Sequence, residues 1–419
     1  MGWLVAVMAS GIIGIAVRKL FANKIESAFD KMKVQLSRIP LVIKDRGLPR
    51  STYFFYRTLN APELETFDLI SHLEHRYGRT AFTLGGTPFP VTVVWKNTEE
   101  LITPDNVLGN LDQSEPSERA SSFILKPGQY KRARVFIKRM LEAGPIKYEG
   151  HDYCMTQIDL SNAVPKIHGN LGFYYDSILT QYALEWELKK ALIKGHTISS
   201  LSKKGSLPLR EATETGLDPI LDGRNRTAAL AVSTLLVFNR RNQGYYCLLH
   251  RRSADVAVSP NTMHVVPAGM FESINDADFW SIEMNVWREL LEELYGEKEL
   301  QGTGIPYIND YFRQHSPIGS LLQMIQSGSA EHSVTGLCCD LLTLRPEVCT
   351  VLFVKDPTFA DERRMQLNWE YDIAHGTGAI PWTKIDEAIQ AAVQRFGFSA
   401  TGTVTLGLGR EWIRARHGM

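Results

Sequence analysis

The chain of 419 residues is poor in cysteine and has no excess of either charge. Its five cysteines, Cys154, Cys247, Cys338, Cys339 and Cys349, contain no C-x-x-C pair. An odd and sparse set of this kind excludes a disulfide scaffold and a zinc ribbon, and it fits reduced thiols in a domain that faces the cytosol. Lys plus Arg is 46 and Asp plus Glu is 46, so the basic imbalance of a protein devoted to nucleic acid is missing. No internal repeat is visible, and beyond the amino terminus no apolar run is long enough to cross a bilayer, which excludes a polytopic membrane protein. With 44% apolar and 22% charged residues the remainder is ordinary globular material, enough for two or three domains at roughly 100–200 residues each.

The first apolar run is the exception. Trp3 to Val17 carries no charge and no proline, and with its flanks, residues 1–21, it reaches spanning length. Arg18, Lys19 and Lys24 follow it, which by the positive-inside rule predicts a single-pass anchor in the cell membrane with the bulk of the chain in the cytoplasm. A cleaved signal peptide and a buried core helix are the alternatives. Residues 22–47 read as a basic juxtamembrane helix suited to anionic headgroups. On it Ile25, Phe29, Met32, Leu36 and Ile39 form a short heptad seam, which points to a homodimer or to packing on the chain's own domain.

Residues 48–197 alternate between strand-like and helix-like segments and read as an α+β domain without a legible site. Helices are expected at 63–77, 130–143 and 177–192, and strands at 90–95 and 153–160. The 130–143 helix is basic through Lys131, Arg132, Arg134, Lys138 and Arg139, a pattern that most often marks a solvated face. His168-Gly169-Asn170-Leu171-Gly172 lacks the G-x-G-x-x-G spacing and reads as a turn. His72, His75 and His151 are scattered and read as structural. Residues 198–220, with Ser-Ser-Leu-Ser-Lys-Lys-Gly-Ser-Leu-Pro near their start, read as a linker.

Residues 221–419 carry the chemistry. The run 228–238 suits a buried strand, and 245–250 should pair with it across a turn. Further on, a helix is expected from near Asp276, with Asp276 or Asp278 as its N-cap, to a C-cap at Gly296. Within it Glu289, Glu292 and Glu293 share one face while Trp287, Leu290, Leu291 and Leu294 share the other. Three carboxylates on one arc repel each other. A hard divalent cation such as Mg²⁺ relieves that repulsion and bridges to phosphate oxygens, whereas a solvated acidic face needs no ligand.

Arg288-Glu289-Leu290-Leu291-Glu292-Glu293, with Gly269 upstream behind a proline-containing strand end, resembles the signature of the Nudix hydrolase superfamily. The segments 248–252, 334–344, 348–355 and 385–396, and Trp382, are similar to that family's strands and closing helix. The resemblance implies an α/β fold, a Nudix α/β/α sandwich with a mixed sheet, for 221–419. It also implies hydrolysis of a nucleoside diphosphate linked to another moiety, by water attacking a phosphorus with Mg²⁺ (or Mn²⁺) as cofactor. Glu289, Glu292, Glu293 and the Gly269 carbonyl would be metal ligands. Glu289 would also be the base, Arg288 a clamp on the carboxylates, and Glu370, with Asp372 second, the late acid. Arg251 and Arg252 are the expected contacts to a nucleotide-derived substrate. The chain departs from the signature in spacing: eighteen residues separate Gly269 from Arg288 where the pattern has thirteen, and the first signature Glu has no counterpart in register, although Glu272 is acidic nearby. An anchor plus a large extra domain is similar in architecture to the SMODS-associated Nudix proteins of bacterial antiphage defence. That likeness implies the alternative of a nucleotide sensor that cleaves little or nothing.

Overall fold

The computed structural model describes residues 64–112, 124–143, 150–214, 218–240, 243–253, 256, 259–273, 280–297, 308–359, 365, 382–394 and 397–418. The chain divides into two units, Met1–Phe54 and Phe55–Met419, and every described residue belongs to the second. The expected anchor and the heptad seam lie outside the described residues. Among those that are described, no helix is long and apolar enough to cross a membrane.

In chain order the second unit contains α1 (Phe67–Tyr77), β1 (Thr83–Leu84), β2 (Thr87–Pro88), β3 (Val91–Lys96), β4 (Leu108–Asp112), α2 (Pro127–Ala143), β5 (His151–Asp159) and β6 (Lys166–Phe173). Next come α3 (Tyr174–Ser177), a π-helical turn at Ile178–Tyr182, α4 (Ala183–Ile193), α5 (Ile198–Leu201) and α6 (Pro208–Thr213). The carboxy-terminal part adds β7 (Ala231–Arg240), β8 (Gly244–Arg251), β9 (Met263–Val265), β10 (Ala268–Met270), α7 (Ile282–Leu294), α8 (Ile308–Gln314), α9 (Ser316–Gln326), β11 (Ala330–Asp340) and β12 (Pro346–Val354). It closes with β13 (Trp382–Lys384), α10 (Ile385–Gln394) and α11 (Ala400–His417).

The large sheet runs β13-β8-β7-β12-β11-β3, with β10 added on β7 and β9 on β8. It is mixed, because β7 and β12 pair in parallel and their neighbours pair antiparallel. Strands β7, β11 and β12 are buried almost throughout because helices cover both faces. Side chains alternate across the sheet. Val232, Leu236, Val348 and Leu352 meet Trp287, Leu290, Phe312 and Ile318 on one side. Leu235, Val237, Cys349 and Val351 meet Ile389, Val404, Leu408 and Trp412 on the other.

Strand pairings cross the expected boundary between the two domains. β3, from the supposed amino-terminal domain, is an edge strand of the large sheet, paired with β11. The small sheet β4-β6-β5 is tied to it through β5. Met155 N–H donates to Ala228 O at 2.8 Å, and Leu230 N–H to Tyr153 O at 3.0 Å. The supposed linker holds α5 and α6, and its Arg210 is fully buried. Arg210 donates to Tyr77 Oη, to Leu341 O at 3.0 Å and to Leu342 O. Arg226 donates to Leu344 O at 3.0 and 3.2 Å. Two buried guanidiniums therefore grip the β11–β12 turn, where Leu344 holds a φ of 60°. The glycine-rich segment at 168–172 is strand, not turn. A Cβ on Gly169 would sit 2.5 Å from the Trp280 ring and one on Gly172 2.6 Å from Cys154 Sγ, so close approach rather than bending calls for glycine there.

Arg210→Ala removes two hydrogen bonds to a buried turn and one to Tyr77 Oη, and leaves the turn carbonyls of Leu341 and Leu342 unmet. Chemical denaturation should show a loss of about 3 kcal/mol or more, against under about 0.5 kcal/mol for the exposed Lys131→Ala.

Candidate functional site

Helix α7 does not start where acidic residues in the sequence suggest. Its N-cap is Ser281, whose Oγ accepts from Met284 N–H at 3.1 Å. The acid at this end is Asp105, far back in the chain. Its carboxylate accepts from Ser281 Oγ and Ile282 N–H, both at 2.6 Å, and from Glu283 N–H at 3.1 Å. A carboxylate on the first turn's free N–H groups also meets the positive end of the helix dipole. The helix stops before Gly296, which has a φ of 70°.

The acidic face of α7 is not solvated. Arg288, Glu289, Glu292 and Glu293 are all buried, at 3%, 5%, 4% and 0% exposure. Arg288 is the hub. Its Nη2 donates to Glu289 Oε1 at 2.5 Å and to Met270 O at 2.8 Å. Its Nη1 donates to Glu292 Oε2 at 3.2 Å and pairs with Glu272 Oε2 at 3.5 Å. Glu293 Oε2 accepts the Ala268 N–H at 3.0 Å, which ties the helix to β10. Gly269 has no room for a side chain, since a Cβ there would lie 1.7 Å from Glu289 Oε1. The spacing Gly269…Arg288-Glu289…Glu292-Glu293 thus closes into one site, with the Glu289 carboxylate against the Gly269 backbone.

Other expected residues sit elsewhere or cannot be placed. Arg251 is exposed at the end of β8, where its Nε donates to Asn261 O at 3.0 Å. Arg252 follows it, with its N–H donating to Thr262 O at 2.8 Å. Glu370 and Asp372 lie outside the described residues. Among the described residues no group of three or more acids, histidines or cysteines converges at metal-binding distance. The donors present are carboxylate and carbonyl oxygens, with Glu289 and Glu292 held as a pair. One or two carboxylates are what Mg²⁺ uses when substrate phosphates complete its shell, so the donor chemistry fits that ion.

Sequence reasoning missed Asp152. An isolated bridge sets it directly opposite Glu272, through Tyr153 N–H to Phe271 O and Ser273 N–H to His151 O, both 2.8 Å. Cross-strand partners share a face, so a second carboxylate, 2% exposed, stands beside Glu272. Ser177 Oγ donates to its Oδ2 at 3.3 Å. Burial pushes the Cys154 thiol well up, with the charges of Asp152 and Asp176 adding to the shift. Nothing in local spacing could have linked Asp152 to Glu272, because strand pairing alone brings them together.

No family model matches the chain, and no curated protein matches it. Among solved structures, a NUDIX hydrolase from Alicyclobacillus acidocaldarius aligns over 43% of this chain and 91% of its own, at 14% identity and a TM-score of 0.24.

Glu283 gives a pH signature of the α7 start. Burial, and then the Asp105 charge, raises its carboxyl from 4.5 to about 7. The fold thus favours the protonated form. The associated stability is complete below the unfolded value near 4.5 and is lost as pH rises through about 7. Denaturation midpoints should fall from pH 5 to 8 in the parent protein and stay flatter in Glu283→Gln. Equal slopes would refute this assignment.

Proposed function

We propose that the protein is a Mg²⁺-dependent hydrolase of a nucleoside diphosphate linked to another moiety, tethered to the membrane by residues 1–21. The observation that carries this reading is the Arg288 guanidinium, which holds both Glu289 and Glu292, with Glu289 against the Gly269 backbone. The resemblance of Arg288–Glu293 and Gly269 to the Nudix signature agrees with it.

Glu289, Glu292 and the Gly269 carbonyl would hold the cation, whose charge stabilises the phosphate oxygens as the bond breaks. Glu289 takes the proton of the attacking water. Arg288 fixes the orientation of that carboxylate through a charge-assisted hydrogen bond. Glu272, reaching Arg288 from the β10 side, supplies the acid that is missing in register from the signature. A second reading, a sensor that binds nucleotide and cleaves slowly, draws on the eighteen-residue spacing between Gly269 and Arg288 and on the first signature Glu having no counterpart in register.

The deciding experiment incubates the protein with Mg²⁺ and nucleoside triphosphates, dinucleotide polyphosphates, nucleotide sugars, NAD and ADP-ribose, with products read by chromatography. Turnover of at least one compound is expected. It should fall by about 100-fold or more in Glu292→Gln and in Gly269→Ala, whose methyl would displace Glu289. No turnover of any compound by folded protein would favour the sensor.

A further inference from the structure

A second polar cluster lies on the other face of the sheet, next to the same edge. Register places Met270 beside Ala231 and Ala231 beside Glu347, so these three share a face, and Ala268, Ser233 and Cys349 form the next row. This is the side opposite α7, because Gly269 and Val232, between those rows, point toward the helix. Tyr182, from the π-helical turn, joins this face. Its Oη donates to Met270 Sδ at 3.4 Å and receives Arg345 Nη1 at 3.5 Å. Arg345 in turn pairs with Glu347 Oε2 at 2.7 Å, at side-chain exposures of 8% and 2%.

Three features set this cluster apart from ordinary packing. A buried ion pair is weak support for stability, since desolvating both charges offsets their attraction. Arg345 follows Leu344, whose left-handed backbone is strained for a bulky residue, and the turn holds because Arg210 and Arg226 grip its carbonyls. Two buried polar atoms here have no hydrogen-bond partner among the described residues, Ser233 Oγ and Arg345 Nε. Buried polar groups without partners are rare, and π-helical turns occur frequently at functional sites. The cluster meets solvent at Met270, which is half-buried and adjoins Gly269.

We propose that this cluster is a base-recognition site for a nucleotide. Glu347 accepts, Arg345 donates, and the Tyr182 and Ser233 hydroxyls do both, which matches the mixed donor and acceptor edge of a nucleobase. A phosphate would need donors only, and an apolar group would leave these atoms unmet. Met270, a flexible side chain, gives way to the ring. The placement rests on the hydrolase reading in one respect: it sets the base on one side of β10 and the diphosphate on the other, at Gly269 and Glu289. Residues 174–182, from the part preceding the signature region, thereby contribute to specificity.

The test is calorimetric titration of the full chain with AMP, GMP, CMP, UMP and ribose 5-phosphate, which needs no hydrolysis. At least one nucleotide should bind tenfold or more tightly than ribose 5-phosphate. Glu347→Gln and the near-isosteric Tyr182→Phe should each reduce that preference by about tenfold or change which base is preferred, leaving ribose 5-phosphate binding unaltered. Equal binding of all five compounds, no binding, or an intact preference in both folded variants would overturn the proposal. Base preference without turnover would refute the hydrolase and keep the base site. Turnover without base preference would do the reverse.

Discussion

One buried guanidinium organises the site. Arg288 reaches Glu289, Glu292, Glu272 and the Met270 carbonyl, and so joins α7, the segment after β10 and β10 itself. Carboxylates this buried cannot stay ionised side by side without a partner charge. Remove Arg288 and the acidic face of α7 would either protonate or swing into water. With it in place, Glu289 is held against the Gly269 backbone and Glu292 is held on the same guanidinium.

The rest of the architecture is arranged around that point. The α7 amino terminus is fixed by Asp105, and the Glu272 segment is paired to β5 through the Asp152 bridge. Both tethers come from residues before 198. The amino-terminal half is thus part of the site's wall rather than an appended module, and β3 extends the same sheet. Arg210, from the segment expected to be a linker, and Arg226, which follows that segment, hold the turn that presents Arg345 and Glu347.

What could be read from the sequence was what local spacing encodes. The apolar runs behind β7 and β12, the β7–β8 hairpin, and the two faces of α7 follow from periodicity, and all three are present. Gly269 and the Arg288–Glu293 block do lie together. What escaped the reading depends on distant pairing. Asp105 and Asp152 reach the site through tertiary contacts that leave no trace in spacing. The helix α11 was not expected at all, because Thr and Gly dominate its first half and both are poor helix formers. There the small residues allow close packing: a Cβ on Gly409 would lie 2.6 Å from Leu235, and one on Gly407 2.7 Å from Phe82. Burial against the sheet outweighs propensity.

The central claim is that the Arg288-held carboxylates take a divalent cation. The most direct measurement is titration of the full chain with Mn²⁺, reading the free ion by electron paramagnetic resonance, in the parent protein and in Glu292→Gln. The account predicts one saturable site per chain in the parent, competed by Mg²⁺ and lost in the variant. Folded parent protein that leaves all added Mn²⁺ free, or a site that survives Glu292→Gln unchanged, would contradict it.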